Sequence, residues 1–169
     1  MDKRLEANMR FLCDESRMLT GITVAYGTTT YSEWAQYGRA QEIDRVENGF
    51  IPAVRPLIPD TIYDLASLTK LFTAVVTLAL VESGQLSLDE TVGQIDPRFI
   101  HLQNVTVGDV LSFRISLQTP GRIDTAPTRE EGLKRLFGVS VCPTPAIRVY
   151  SDMNAMVIKY VIEAKTGLS

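Results

Sequence analysis

The sequence predicts an α+β fold, in which an N-terminal helix and a β-hairpin precede a mostly helical region around one strongly apolar helix. Residues 22–26 alternate between apolar and polar, and a polar turn at 27–30 leads to a second such run at 31–38, which predicts the hairpin. Residues 67–83 are apolar on almost every side, as is typical of a helix buried in a domain. The first helix is predicted within residues 3–18 from apolar residues on one face, namely Leu5, Met9, Leu12 and Cys13.

The segment that follows the hairpin, residues 39–60, is predicted to be an irregular connection because it contains several turn-forming residues. These residues are Gly49, Pro52, Pro56 and Pro59. One hairpin is too little sheet to be stable alone. We therefore expect it to pack on the first helix and to pair with further strands, although no convincing strand is predicted later in the chain.

Helix ends are marked by capping residues. Gly84 is expected to end the apolar helix, and Thr106 is expected to begin a helix that runs to Leu117. Thr128 and Glu131 have the spacing of a capping box. The last helix is expected to begin at Asp152 and to end at Gly167, with an apolar face of Met153, Met156, Val157, Tyr160, Val161 and Ala164.

The composition argues against several classes of function. The 169 residues have a net charge of −3 and no cluster of Lys and Arg, so nucleic-acid binding is not expected. No apolar run has the length of a membrane-spanning helix. The charged N-terminus lacks the apolar region of a signal peptide, which favours either a cytoplasmic protein or a mature exported form. Cys13 and Cys142 are interpreted as buried thiols, with a disulfide as the alternative.

The sequence contains a single histidine, His101. A Ser-His-Asp triad would have to use it, and most zinc sites need several His or Cys ligands at close spacing. If the protein is an enzyme, we therefore expect its base to be another residue, and we expect no metal or other cofactor.

Ser67 and Lys70 stand three residues apart at the start of the apolar helix, so they share a face one turn apart. Burial and the helix dipole are both expected to lower the pKa of Lys70, and a neutral lysine could take the serine proton. The amide at the start of the helix could donate to an oxyanion. The alternative is a helix-capping serine followed by a solvated lysine, because this spacing also arises by chance.

Tyr150 precedes the last predicted helix and is followed by Ser151 and Asp152. A phenol held near a lysine ammonium has a lowered pKa and can shuttle a proton. The alternative is an interfacial tyrosine next to an aspartate that caps the helix.

These motifs and their surroundings resemble the serine β-lactamase and penicillin-binding superfamily, in particular the group of class C β-lactamases, DD-peptidases and esterases. The stretch PDTIYDLASLTKLFTAVVTLALVESGQLSLDETV closely resembles the nucleophile helix of this group. The segments VTVGDVLS and PAIRVYSDMNAMVIKYVIEAKTG are similar to later helices, and the hairpin is similar to the first two strands. The resemblance covers roughly residues 20–167.

The resemblance implies that Ser67 is the acylated nucleophile and that Lys70 is either the base or the electrostatic partner of Tyr150. Tyr150 would protonate the leaving group and activate the deacylating water. Asp152 stands where an asparagine contacts substrate in the β-lactamases, which favours an esterase or DD-peptidase-like activity over a true β-lactamase. An alignment with the Ser-Asp-Asn motif of class A enzymes is rejected because Met153 stands where the asparagine should be.

The chain departs from the family in three ways. After Leu111 it reads SFRISLQTPG in place of a His-Thr-Ser-Gly-like sequence, and Ala146 replaces a glycine. The family continues into further strands with a third motif, Lys-Thr-Gly or His-x-Gly, on one of them. Residues 165–167 spell Lys-Thr-Gly, but they are interpreted as the stop of the last helix.

Residues 1–169 are accordingly interpreted as the N-terminal part of a single β-lactamase-like domain that lacks its C-terminal strands. The expected substrate is a small molecule or a cell-wall peptide, and exposed strand edges could lead to self-association. The alternative to a hydrolase is a non-catalytic, penicillin-binding-like protein with a binding or regulatory role.

Overall fold

The computed structural model describes residues 2–143 and 150–168. The chain divides into two compact units, Met1–Asp64 and Leu65–Ser169. Both helices and strands are present, as the α+β prediction requires.

The first unit begins with helix α1 (Lys3–Arg10), which continues as a π-helical turn over Phe11–Glu15. Met9 and Cys13 are the buried residues of this segment, and they lie on the predicted apolar face. The predicted helix is therefore confirmed, except that its last residues are not helical.

Three antiparallel strands form the sheet of the first unit in the order β1 (Gly21–Gly27), β2 (Ser32–Val46) and β3 (Gly49–Pro56). The predicted hairpin is confirmed. The irregular connection predicted for residues 39–60 is wrong, because β2 continues to Val46 and β3 returns beside it after a two-residue turn.

Prolines are tolerated in β3 for a structural reason. The strand lies at the edge of the sheet, where a residue without an N–H need not interrupt a ladder on both sides. The pairing with β2 also shifts register between Arg39 and Gln41 and again between Gln41 and Ile43, as at a bulge. Pro52 and Pro56 are therefore compatible with an edge strand.

The second unit is mainly helical. Helix α2 (Thr69–Glu82) follows a 3₁₀ turn at Ala66–Leu68, and Gly84 has a φ of 74° just beyond its end, as its predicted role requires. A short two-stranded sheet pairs β4 (Leu117–Gln118) with β5 (Ser140–Val141). The remaining helices are α3 (Val92–Ile95), α4 (Val107–Leu111), α5 (Arg129–Phe137) and α6 (Asp152–Thr166).

The core of the second unit forms around α6, which contacts α2, α3 and α4. Its fully buried apolar side chains come from the helices and from the loops between them. They include Val92, Phe99, Leu102, Val107, Val110, Val139, Val157 and Val161.

Helix α2 is buried on one side only. Thr77 and Leu80 face the core, whereas Leu71, Phe72 and Val75 are each more than 60% exposed. The prediction that this helix is buried all round is therefore wrong, because α6 covers only one of its faces.

Thr106 caps α4 as predicted, and its hydroxyl accepts the backbone N–H of Asp109 at 3.1 Å. The helix stops at Leu111, however, and does not reach Leu117, which lies in β4. The chain turns at Phe113, which has a φ of 54°.

The other two predicted caps have different outcomes. Thr128 caps α5 as expected, with its hydroxyl accepting the N–H of Glu131 at 3.2 Å. Ser151, and not Asp152, caps α6. Gly167 ends α6 in the left-handed conformation, as predicted. Within residues 2–143 and 150–168, no helix combines the length and the apolarity needed to cross a membrane.

Candidate active site

Ser67 and Lys70 lie at the start of α2 and share a face. Ser67 belongs to the 3₁₀ turn and Lys70 to the first turn of the helix. The Lys70 Nζ donates to the Ser67 Oγ at 3.2 Å. The proximity predicted from their spacing is thus present.

The backbone just before Ser67 is strained. Ala66 has a φ of 44°, a left-handed conformation that costs a residue with a Cβ roughly 1–2 kcal/mol. Strain of this kind concentrates at functional sites, where the surrounding structure holds it in place. The strain therefore supports Ser67 as a functional residue independently of its spacing to Lys70.

The start of α6 supplies the other side of the site. The Ser151 hydroxyl accepts the N–H of Met153 at 3.2 Å and caps the helix. Tyr150 comes directly before this cap and Asp152 directly after it. One cap therefore fixes the backbone on both sides of Ser151.

Asp152 forms an ion pair with Lys70 across the two helices. The lysine side chain is 14% exposed, whereas that of Asp152 is 75% exposed. Asp152 thus contacts the proposed catalytic lysine directly, which the sequence did not reveal.

The expected lowering of the pKa of Lys70 is wrong. The hydrogen bond that Lys70 donates to Asp152 raises the pKa of Lys70 above its ordinary value, and it outweighs the opposing effect of burial. Spacing along α2 could not show this, because the carboxylate comes from 82 residues further along the chain. Lys70 is accordingly an ammonium at neutral pH.

The pKa of Tyr150 is shifted in the opposite direction, below its ordinary value. Hydrogen bonding with Ser67 lowers the pKa of the Tyr150 phenol, and Lys70 lowers it further, against the opposing effects of burial and of the Asp152 charge. The Lys70 Nζ lies 4.8 Å from the centre of the Tyr150 ring. The structure thus brings Ser67, Lys70 and Tyr150 together, as the sequence motifs suggested.

Two residues near the site were not singled out from the sequence. The Phe113 ring stacks on the Tyr150 ring, with centroids 5.5 Å apart and planes 15° apart. The Asn154 side chain is 1% exposed, and its Nδ2 donates to the Val110 carbonyl at 2.9 Å. Both line a small cavity of about 40 Å³ together with Lys70. No sequence signal marked Phe113, because glycine, and not phenylalanine, is the usual residue at a left-handed helix end.

Other candidate residues lie elsewhere. His101 is in an exposed turn after Phe99. Lys165 pairs with Glu90 at the end of α6, which agrees with its interpretation as part of a helix stop. Ala146 lies outside the described residues. In the part of the chain that the structure describes, no group of three or more His, Cys, Asp or Glu side chains could hold a metal ion.

The fold and the site together define a class: α+β proteins in which a serine at a helix start is paired with a lysine one turn on. The family model for β-lactamase matches residues 24–169. The chain therefore belongs to the β-lactamase family, within the serine β-lactamase and penicillin-binding superfamily. Membership supports a serine-hydrolase-like function in general terms.

Individual relatives agree with this assignment. The chain is 25% identical over 120 residues to penicillin-binding protein 4 of Amycolatopsis lactamdurans, covering 65% of this chain and 31% of that protein. It is similar to a class C β-lactamase solved in complex with cefoxitin, with a TM-score of 0.72, 22% identity and coverage of 99% of this chain and 45% of that one.

A third relative is a β-lactamase/D-alanine carboxypeptidase from Pseudomonas syringae, with a TM-score of 0.70 and 18% identity. The match covers 98% of this chain and 44% of that one. The chain thus spans less than half the length of the relatives it matches, and the similarity to the solved structures establishes the fold.

Proposed function

We propose that the protein of which this chain is part is a serine hydrolase that acts through a covalent acyl-enzyme. The observation that carries the proposal is the contact between Lys70 Nζ and Ser67 Oγ at 3.2 Å, beside a tyrosine whose pKa is lowered by both residues. A nucleophile with a proton acceptor in reach and a charged group that orients both is the arrangement that acyl transfer needs.

The two pKa directions support Tyr150 as the proton acceptor. The hydrogen bond that Lys70 donates to Asp152 raises the pKa of Lys70, which disfavours the neutral amine that could accept a proton from Ser67. Tyr150 has a lowered pKa, so its phenolate is the more accessible base. Of the two roles considered for Lys70, the structure favours the electrostatic partner of Tyr150 over the base.

In acylation, the Ser67 hydroxyl gives its proton to the Tyr150 oxygen while Ser67 Oγ forms a bond to the substrate carbonyl carbon. The backbone N–H at the start of α2 would donate to the resulting oxyanion. The tetrahedral intermediate collapses when the bond to the leaving group breaks, and Tyr150 returns the proton to that group.

Deacylation follows the same steps, with water as the nucleophile. The water gives a proton to Tyr150 and attacks the acyl carbon, and Ser67 recovers the proton as its bond to carbon breaks. Lys70 remains an ammonium throughout and stabilises the phenolate. No cofactor takes part in the proposed reaction.

For the substrate, we favour an ester or a DD-peptide over a β-lactam. Asp152 is 75% exposed beside the nucleophile, so a substrate can reach its carboxylate. An ionised carboxylate only accepts hydrogen bonds, whereas an asparagine also donates. A substrate group bound there must therefore present an N–H or O–H, as the amides of a DD-peptide do. The ester alternative rests on the resemblance of the chain to the esterase relatives at Asp152.

Covalent labelling tests the proposal. A fluorophosphonate and a fluorescent penicillin should each form an adduct on Ser67, detected by mass spectrometry of the intact protein and its peptides. Ser67→Ala should abolish the adduct, and Ser87→Ala, at an exposed serine on the same unit, should leave it intact. If neither reagent labels Ser67, the binding or regulatory alternative is favoured.

A substrate panel separates the classes. Turnover of nitrocefin, a p-nitrophenyl ester and a D-Ala-D-Ala peptide should be compared, with Ser67→Ala as the blank. We expect ester or peptide hydrolysis to exceed nitrocefin hydrolysis. Faster hydrolysis of nitrocefin would overturn the substrate preference while leaving the acyl-enzyme proposal intact.

Self-association is proposed for the chain as given. Strands β1 and β3 are the outer strands of their sheet, and β3 exposes Phe50 and Val54 at 68% and 67%. Exposed strand edges with apolar residues promote pairing between chains. Sedimentation velocity over a hundred-fold concentration range checks this, and a monomer at every concentration would refute it.

A further inference from the structure

Helix α4 ends in a motif that normally requires glycine. The Phe113 N–H donates to the Val110 carbonyl at 3.2 Å, and the Arg114 N–H donates to the Asp109 carbonyl at 3.1 Å. These two bonds are those of a Schellman motif, whose turning residue adopts the left-handed conformation and is usually glycine. Here the turning residue is Phe113, with a φ of 54°.

A phenylalanine at this position is unfavourable for the backbone. A Cβ in the left-handed region approaches the following carbonyl oxygen, and a bulky side chain is an outlier there. The backbone conformation alone would thus favour glycine at this position. We therefore expect the Phe113 side chain to make a contact that compensates for the strained backbone.

The contact that Phe113 makes is with Tyr150. The two rings are nearly parallel, with centroids 5.5 Å apart and planes 15° apart. Tyr150 is 64% exposed, so little of its surface is held by other groups. An exposed ring without such a neighbour would sample several rotamers.

We propose that Phe113 is a positioning residue that fixes the Tyr150 phenol beside Ser67 and Lys70. The inference rests on the proposed function, because it assigns Phe113 to the same site. Phe113 also lines the small cavity beside Lys70. The strain at the end of α4 is thereby coupled to the geometry of the proton acceptor.

A purely structural role predicts something different. Among the described residues of this unit, the other close aromatic pairs join Phe99, Phe137 and Tyr160 at angles of 62–66°. Removing a ring from that cluster should lower stability alone. If Phe113 served only packing, its replacement should also lower stability and leave the titration of Tyr150 unchanged.

The test uses Phe113→Gly, Phe113→Leu and Phe113→Tyr in the full chain, with Phe137→Leu as the control. Tyrosine labelled with ¹³C at Cζ reports the pKa of Tyr150 by NMR, with the resonance assigned by Tyr150→Phe. The rate at which a fluorophosphonate labels Ser67, measured against pH, reports the reactivity of the site. The thermal midpoint is recorded for every variant.

Phe113→Gly and Phe113→Leu should raise the pKa of Tyr150 towards its ordinary value and slow labelling by about ten-fold or more, since a displaced catalytic group loses its alignment. Phe113→Gly should do so with a thermal midpoint equal to or above that of Phe113→Leu, because the backbone strain is relieved. Phe113→Tyr keeps a flat ring and should retain both properties.

The inference is overturned if Phe113→Gly and Phe113→Leu leave both the Tyr150 pKa and the labelling rate unchanged, or if Phe137→Leu alters them equally. Should Phe113→Leu fail to fold, the comparison of Phe113→Gly with Phe113→Tyr decides. A wild-type chain that is not labelled at all would remove the proposed function. The NMR titration would still show whether Phe113 controls Tyr150.

Discussion

Helices α2 and α6 are both rich in apolar residues, and each carries half of the candidate site, yet their surroundings differ. In α6, Val157, Ile158 and Val161 are each no more than 1% exposed. In α2, Leu71 and Val75 are more than 60% exposed. The proposed nucleophile therefore begins a helix that is half covered, whereas the proposed proton acceptor precedes a helix at the centre of the core.

This difference shows what apolar composition does and does not reveal. A helix without a polar face needs to be buried, but its sequence does not indicate which partner covers each face. Within the described chain, α6 has partners on several sides because α2, α3 and α4 all contact it. The free energy of folding of this unit should accordingly depend on α6 far more than on α2.

A matched pair of valine substitutions provides the most direct test and the largest expected effect. Val161→Ala, at a side chain with 0% exposure, should lower the free energy of unfolding by about 2 kcal/mol, through the lost transfer energy and a residual cavity. Val75→Ala, at a side chain 66% exposed, should change it by less than about 0.5 kcal/mol. Urea unfolding followed by circular dichroism measures both.

Equal losses in the two variants would contradict the comparison, because they would mean that the exposed face of α2 is covered in solution. Repeating the measurement at several protein concentrations separates coverage by a second copy from coverage within the chain. Only the former makes the effect of Val75→Ala depend on concentration.

Much of the fold could be predicted from local sequence rules. Helix α2 with its Gly84 stop, the hairpin of β1 and β2, and the Thr106 and Thr128 caps all follow from short-range patterns. Strand β3 could not, because Pro52 and Pro56 indicate an irregular segment unless the strand is known to lie at an edge. The early end of α4 was missed because phenylalanine is not a residue that signals a left-handed turn.

The candidate site likewise has features that local sequence rules predict and features that they do not. The contact between Ser67 and Lys70 is local and follows from helical spacing, whereas the pKa of Lys70 is set by Asp152, which reaches it across the fold. Sequence motifs named all three residues. They could not indicate that the pKa of Lys70 is raised and that of Tyr150 lowered, because those shifts depend on distances between helices.

Asn154 provides the second test, with a smaller effect. Its buried Nδ2 donates to the Val110 carbonyl at 2.9 Å and so joins α6 to the end of α4 that carries Phe113. Asn154→Ala should lower the free energy of unfolding by roughly 1 kcal/mol, because the hydrogen bond between the two helices is lost while the Val110 carbonyl keeps the Phe113 N–H as a donor. Urea unfolding measures this loss, and Asn104→Ala, at an exposed asparagine of the same unit, should have almost none.

Asn154→Ala should also affect the candidate site. Because the Asn154 side chain holds the turn that contains Phe113, the substitution should slow covalent labelling of Ser67. A stability loss without slower labelling would show that the link between α4 and α6 does not reach Tyr150.

Asp152→Asn should have the smallest effect on stability and the clearest dependence on pH. The ion pair with Lys70 is largely solvated on the aspartate side, and such pairs contribute about 0.5 kcal/mol. Because the folded pKa of Lys70 is raised above its ordinary 10.5, the contribution is fully present below that value and is lost as pH rises through the raised pKa. The stability difference between wild type and variant should therefore be constant near neutral pH and vanish in strong alkali.

The same substitution should lower the pKa of Lys70, since burial remains after the carboxylate is gone. ¹³C NMR of lysine labelled at Cε measures this directly, with Lys70→Arg used for assignment. Because the charge of Asp152 itself raises the pKa of Tyr150, the pKa of Tyr150 should be lowered further in the variant while Lys70 keeps its charge. An unchanged lysine pKa would show that Asp152 does not hold Lys70 in solution, and it would restore Lys70 as a candidate for the base.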